Sequence, residues 1–364
     1  MSPPDDNSRL IRVLVADDSA FMRTAITRMI ESDPGLRVSG TAQTGVEVLE
    51  KVNFLQPDVV TLDVEMPGMN GLDALRRIMK ESPRPVIMVS SLTREGAETT
   101  LEALACGAFD YVPKQSSFVA LDIVKIREDL IAKIKAAAES GRQRKPGARV
   151  TRITTSPPPK TPPRRPAYIT PTVVALGTST GGPKALQEIL PLLPADLPVG
   201  VLIVQHMPLG FTGPFARRLN DLCQIEVCEA ENDTAIEAGT VYIAPAGQHM
   251  TVYRHTPAQY AIRLSHLPEK TLHIPSVDVM MRSVAETFRA AAMGVIMTGM
   301  GSDGLEGMRA IVHEGGVTLG QDEASCAVYG MPRACAENGL LQKVVSLPHI
   351  PEQIMHATQY RPRH

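Results

Sequence analysis

At 364 residues the chain is long enough for two or three domains, and a hydrophobic share of 43% can fill globular cores even without a single Trp. A formal net charge of −2 gives the whole chain no case for binding nucleic acid, and no apolar run is long enough to insert into a membrane. The N-terminus lacks the basic and apolar regions of a secretory leader, and five cysteines (106, 223, 228, 326 and 335) form an odd set without metal-site spacing, so the expected setting is the reducing cytoplasm with mostly buried free thiols.

From residue 11 the sequence alternates between short β-branched runs and helical apolar spacing. Ile11–Ala16, Leu36–Gly40, Asp58–Leu62, Pro85–Ser90 and Phe109–Val112 read as strands. Helices are predicted over Ala20–Ile30, Gly45–Val52, Leu72–Met79, Glu95–Ala105 and Phe118–Ala138. Five βα units with short links predict a doubly wound parallel sheet with helices on both faces, spanning residues 9–138. In such a sheet the carboxyl ends of the strands line one crevice. Asp17 and Asp18 follow the first strand, Asp63 ends the third, Ser90 ends the fourth and Lys114 lies just beyond the fifth. Three crowded carboxylates repel unless a divalent cation joins them, and oxygen ligands with room for water suit Mg2+. The lysine ammonium and the serine hydroxyl can then receive the oxygens of a phosphoryl group on Asp63.

Residues 139–169 change character. The run Ser156-Pro-Pro-Pro-Lys-Thr-Pro-Pro-Arg-Arg-Pro166 is Pro-rich and basic, and no Asp or Glu occurs from Gly141 to Thr170. This composition predicts an extended, semi-rigid linker.

Beyond it, Val173–Leu176 is a buried-strand run, Gly177-Thr-Ser-Thr-Gly-Gly182 a tight turn, and Pro183–Leu190 a helix with proline in its first turn. Ser179 at the centre of G-x-S-x-G, between strand and helix, has the layout of a nucleophile elbow. The helix N-terminus behind it offers N–H groups and a positive dipole end to a developing oxyanion. A phosphate-binding loop is set aside, because it needs Gly-Lys-Ser/Thr and here Pro183 precedes Lys184 and Ala185 replaces the hydroxyl. A capping serine in an ordinary turn would also fit this pattern, so the reading needs partners. Val199–Val204 leads to His206, and Ala291–Thr298 leads to Gly299-Met-Gly-Ser-Asp303-Gly304. Ser179, His206 and Asp303 thus fall on loops at one edge of a second parallel sheet. A serine hydroxyl is a weak nucleophile until an imidazole takes its proton, and a carboxylate fixes the imidazole's tautomer. Gly299-x-Gly301-x-x-Gly304 with Asp322 also matches a dinucleotide fingerprint, but Asp303 inside that turn would place negative charge where a pyrophosphate docks.

On Asp17-Asp18, Leu62-Asp63-Val-Glu-Met-Pro67, Ser90 and Lys114, the first part resembles a response-regulator receiver domain, with Tyr111 at the switch aromatic and Gln115 where receivers carry proline. The resemblance implies a flavodoxin-like fold and phosphorylation of Asp63 by a chemotaxis histidine kinase. It also implies Mg2+ held by Asp18, Asp63, the Glu65 carbonyl and, through water, Asp17. Residues 170–360 resemble the catalytic domain of the CheB-type chemotaxis protein-glutamate methylesterases. The motifs are Gly177–Gly182, Gln205-His-Met-Pro-Leu-Gly-Phe-Thr212, Ala244-Pro-Ala-Gly-Gln-His249, Pro275-Ser-Val-Asp278, Met297–Gly304, Gln321-Asp-Glu-Ala324 and Tyr329-Gly-Met-Pro332. This likeness implies Ser179 as nucleophile, His206 as base and Asp303 as orienting acid, with no cofactor for the esterase chemistry. It implies hydrolysis of γ-glutamyl methyl esters on methyl-accepting chemoreceptors, release of methanol, and deamidation of receptor glutamines. His249 and His273 are left over and read as structural or substrate-edge residues. A receiver tethered to a hydrolase further leads us to expect that the receiver restrains the hydrolase and that phosphorylation relieves the restraint. A regulator with a DNA-binding output would instead carry a basic helix-turn-helix after residue 170, which the sequence does not show.

Overall fold

The computed structural model describes residues 10–91, 93–114, 120–143 and 169–361. The first unit contains β1 (Ile11–Ala16), α1 (Ala20–Glu31), β2 (Leu36–Ala42), α2 (Gly45–Leu55) and β3 (Val59–Asp63). It continues with α3 (Gly71–Glu81), β4 (Val86–Ser91), α4 (Arg94–Ala105), β5 (Asp110–Lys114) and α5 (Ala120–Gln143). All neighbours pair in parallel, in the order β2-β1-β3-β4-β5. Ser19, Thr44, Asn70 and Thr93 cap α1 to α4, each side-chain oxygen accepting an N–H from the third residue on. The strand order reverses between β1 and β3, which brings Asp17 and Asp63 to the crevice.

Helix α5 runs to Gln143, past the predicted end at Ala138 and into the segment read as linker. The Pro-rich run and Gln115 lie outside the described residues.

The second unit opens with β6 (Val173–Thr178), α6 (Gly182–Ile189), β7 (Gly200–Gln205), α7 (Thr212–Leu222), β8 (Glu226–Glu229) and β9 (Thr240–Ile243). An antiparallel hairpin of β10 (His249–Thr256) and β11 (Gln259–Ser265) follows, then α8 (Val277–Phe288) and β12 (Ala292–Ile296). The unit closes with α9 (Leu305–His313), β13 (Val317–Gln321), α10 (Met331–Glu337), β14 (Lys343–Val345) and α11 (Ile350–Ala357). Its seven-stranded parallel sheet has the order β14-β13-β12-β6-β7-β9-β8. β6, β7 and β12 are buried along their whole length, which is why they read as continuous apolar runs. The chain builds outwards from β6 in both directions, so the switch point lies where β6 meets β7 and β12.

The two units share one continuous cluster of buried side chains, in which Leu101, Leu104 and Tyr111 join Ala185, Phe211 and Phe215. Tyr111 stacks on Phe211 with ring centroids 5.0 Å apart and planes 8° from parallel. At the rim Arg217 reaches to 3.9 Å from Glu98, an exposed pair worth little by itself. The thiols correct one expectation. All five are free, but only Cys335 is buried, the other four being half-buried. Cys106 and Cys223 stand at the C-terminal caps of α4 and α7, where a helix end meets solvent. Among the described residues no helix is long and apolar enough to cross a membrane.

Candidate active site

Ser179 follows β6 directly, His206 follows β7, and Asp303 lies in the turn between β12 and α9. The elbow is strapped in place. Ser179 N–H donates to Thr298 O at 3.0 Å, Gly182 N–H to Ser179 O at 2.8 Å, and the Gln205 amide to Ser179 O at 3.1 Å. Gly181 closes the turn at a φ of 76°, a region a side chain disfavours, and a Cβ there would stand 2.4 Å from that of Ala327.

The three predicted residues come together. His206 Nδ1 lies 3.1 Å from Ser179 Oγ, and His206 Nε2 lies 2.8 Å from Asp303 Oδ2. With an ionised Asp303, this arrangement puts the imidazole proton on Nε2 and turns the Nδ1 lone pair to the serine hydroxyl. Asp303 is itself held at the N-terminus of α8. Its Oδ2 accepts the Val277 N–H at 2.8 Å, and its Oδ1 accepts the Asp278 N–H at 3.0 Å and the Ser276 hydroxyl at 2.9 Å. Burial raises the Asp303 carboxyl, but the hydrogen bond and charge of His206 and these N–H groups outweigh it and hold it at about 2. The carboxylate is therefore ionised at any working pH.

His273, read from the sequence as a structural or substrate-edge residue, stacks on His206 with centroids 4.0 Å apart. Burial first, and then the neighbouring His206, push it down to about 4, so it stays neutral and adds no charge beside His206. His249 is buried, and its Nδ1 accepts the Ser276 N–H at 3.1 Å, a structural role as expected. Asp322 accepts from Ser325 within its own turn, from the backbone N–H at 3.0 Å and the hydroxyl at 2.6 Å.

The acidic residues of the first unit also converge. Carboxylate oxygens of Asp17, Asp18 and Asp63 lie within 4.8 Å of one another, with Asp17 and Asp63 buried and Asp18 exposed. Lys114 Nζ stands 2.8 Å from Asp17 Oδ2 and 2.6 Å from Asp63 Oδ2. Burial pushes the Asp63 carboxyl up to about 6, against the pull of Lys114 and with the repulsion of Asp17. Hard anionic oxygens crowded to this degree, one of them open to water, fit a divalent cation with Mg2+ preferences. Glu65, exposed, donates its N–H to Asp63 Oδ1 at 3.2 Å, which keeps its backbone at the rim. Ser90 is buried and donates its hydroxyl to Gly96 O of α4 at 3.1 Å.

One contact was invisible in the sequence. Asp110 Oδ2, at the start of β5, accepts the Gly181 N–H of the elbow at 3.3 Å. A carboxylate of one unit thus occupies the end of α6 in the other. Lys133 stands 3.7 Å from Asp110 Oδ1 and 3.0 Å from Asp129. Beside them the Tyr111 hydroxyl is buried with no hydrogen-bond partner among the described residues.

Two family models match the chain, response regulator receiver domain over residues 13–124 and CheB methylesterase over residues 174–354. It is 47% identical to a protein-glutamate methylesterase/protein-glutamine glutaminase of Oleidesulfovibrio alaskensis, over 96% of this chain and 99% of that one. A protein of the same name from Pyrococcus abyssi is 46% identical, over 96% of this chain and 94% of its own. Among solved structures, the CheB methylesterase catalytic domain of Thermotoga maritima aligns with a TM-score of 0.50 at 34% identity, covering 52% of this chain and 99% of that domain.

Proposed function

Because the chain belongs to the protein-glutamate methylesterase/protein-glutamine glutaminase family, with a receiver domain ahead of the hydrolytic unit, we propose that Ser179, His206 and Asp303 carry its chemistry and that Asp63 governs it. It is a chemotaxis esterase of a two-component system. It hydrolyses glutamate γ-methyl esters on chemoreceptors and deamidates receptor glutamines. The observation that carries the residue assignment is the unbroken hydrogen-bonded chain from Ser179 Oγ through both ring nitrogens of His206 to Asp303.

In the first half of the reaction Ser179 Oγ attacks the side-chain acyl carbon while His206 Nδ1 takes the hydroxyl proton. Asp303 stabilises the imidazolium through Nε2. The oxyanion faces the N-terminus of α6, whose N–H groups are aimed before charge develops. Methanol leaves with the proton from Nδ1. Water then attacks the acyl carbon while giving a proton to the same nitrogen, the Ser179 Oγ–acyl bond breaks, and Nδ1 returns that proton to Oγ as the glutamate carboxylate leaves. Ammonia is a poorer leaving group than methanol and depends more on that protonation, so both reactions use one site with unequal demands on His206.

For the receiver, Asp17, Asp18, Asp63 and the Glu65 carbonyl would hold Mg2+, which when bound supplies charge neutralisation for phosphoryl transfer from a histidine kinase. Lys114 and Ser90 would receive the phosphoryl oxygens. Incubation with acetyl phosphate is expected to label the wild type, to fail after metal chelation, and to fail in Asp63→Asn. Labelling that persists in Asp63→Asn would place the phosphate elsewhere.

The receiver restrains the enzyme through the Asp110–Gly181 and Tyr111–Phe211 contacts. Ser90, once drawn to a phosphoryl group, gives up Gly96 O and loosens α4, which packs on α6 and α7. A change of about 1.4 kcal/mol in docking shifts the closed-to-open ratio tenfold. The test compares methyl-ester hydrolysis by the unmodified chain, the phosphodonor-treated chain and residues 169–364 alone. The isolated domain should be the faster, and phosphorylation should close much of the gap. An isolated domain no faster than the unmodified chain would point to control by recruitment rather than by occlusion.

A further inference from the structure

Pro275-Ser-Val-Asp278 has so far entered the chemistry only through its backbone N–H groups and the Ser276 hydroxyl. The Asp278 carboxylate makes a second connection. Helices α8 and α9 bring their N-termini side by side, and each offers first-turn N–H groups to a carboxylate from the other. From α8, Val277 and Asp278 donate to Asp303, the residue before the N-cap of α9. In return Gly304 and Gly307 donate to Asp278 Oδ1, at 3.0 Å and 2.7 Å. Gly307 is needed for this approach, since a Cβ there would stand 2.5 Å from that of Met281 and 3.3 Å from Asp278 Cα. Two carboxylates this close repel each other. Helix N-termini are where such charges are tolerated, because the N–H groups and dipole ends are already aimed at them.

We propose that Asp278 is a positioning residue for the hydrolytic reaction. By gripping the Gly304 and Gly307 N–H groups it fixes the turn that carries Asp303, and so aims Asp303 Oδ2 at His206 Nε2. The proposal rests on Ser179, His206 and Asp303 being the reacting centre. Truncating Asp278 frees the start of α9, and Asp303 is then held from the α8 side alone. Misplacement by about 1 Å at a reacting centre costs about a hundredfold in rate. The loss should therefore appear in kcat, because Asp278 is not in contact with Ser179 or His206.

The experiment uses the full chain treated with phosphodonor. It measures kcat and KM for methyl-ester hydrolysis, and follows the His206 Nε2 proton by NMR. Asp278→Ala is expected to lose about 30- to 100-fold in kcat with KM changed less than about twofold, and its Nε2 proton should be lost to solvent exchange. Asp278→Asn keeps an acceptor for both N–H groups and should stay within about fivefold of wild type with the proton retained. Should Asp278→Ala not fold, Asp278→Glu keeps the charge but moves the oxygen by a methylene, and must still lose about tenfold. The proposal is overturned if Asp278→Ala, or Asp278→Glu in its place, turns over within about threefold of wild type. An Asp278→Asn variant as slow as Asp278→Ala overturns it too, since charge rather than grip would then be what matters. Asp303→Ala is assayed alongside. If it is inactive while Asp278→Ala is unimpaired, only the positioning role falls; if it is active, the assignment of the reacting centre falls as well.

Discussion

Ser179→Ala is expected to abolish ester and amide hydrolysis while leaving the fold intact. In the proposed mechanism the hydroxyl is the atom that forms the acyl intermediate, and neither His206 nor the end of α6 can replace it. In subtilisin, where the corresponding loss has been dissected, removing the nucleophile costs about 10⁶ in kcat. The substitution removes one oxygen from a half-buried turn that is otherwise held by a backbone bond to Thr298, one from Gly182, and the Gln205 amide. The thermal midpoint should therefore move little. Methanol release from methylated receptor, read against an unchanged unfolding curve, checks both parts. Retention of even a tenth of wild-type turnover would exclude Ser179 as nucleophile.

Asp303→Asn should be the next most damaging change. An asparagine fills the same space, but its amide can turn a donor to His206 Nε2 and so favour the tautomer with the proton on Nδ1. That nitrogen then cannot accept from Ser179 Oγ. The analogous exchange in the serine-protease triad lowers kcat about 10⁴-fold. The loss should fall on kcat with KM little changed, because Asp303 is not in contact with the serine that meets substrate. A second consequence concerns acid stability. With its carboxyl at about 2, below the usual 3.8, Asp303 contributes stability that is present above pH 4 and is lost as pH falls towards 2. The stability gap between wild type and Asp303→Asn should accordingly narrow over that window in denaturant titrations. A gap independent of pH would mean that the carboxylate is not specially held in the folded state.

Both clusters of proposed reacting residues, which the structure brings together, were legible in the sequence for the same physical reason. In a parallel sheet the buried strands are uninterrupted apolar runs, so the first polar residues after each run mark the crevice. Asp17, Asp63 and Lys114 followed from this rule, as did Ser179, His206 and Asp303. The helices followed from their apolar spacing, while the caps at Ser19, Thr44, Asn70 and Thr93 set where α1 to α4 start. What could not be read is whatever depends on how two elements distant in the chain meet. Asp110 reads as a strand residue like any other until β5 is set against α6, where its carboxylate takes the Gly181 N–H. Asp278 reads as a helix-start acid, and its bonds to Gly304 and Gly307 exist only because α8 and α9 run close together. His273 lies in a segment without periodicity, and nothing local signals that it will stack on His206. The β10–β11 hairpin was missed for a related reason. Exposed Arg254 falls in the same alternation phase as buried Met250 and Val252 and breaks the period-2 pattern of β10, and only packing beneath α8 separates the two faces. Extension of α5 to Gln143 through Ser140 and Gly141 overrides weak local propensity.

The most direct measurement is methanol release from a methyl-labelled chemoreceptor by the full chain, with and without acetyl phosphate and Mg2+. Hydrolysis in both conditions, faster with the phosphodonor, absent in Ser179→Ala and unresponsive to phosphodonor in Asp63→Asn, is the predicted result. No methanol from the receptor under either condition, by a folded chain that still cleaves a simple ester, would contradict the account.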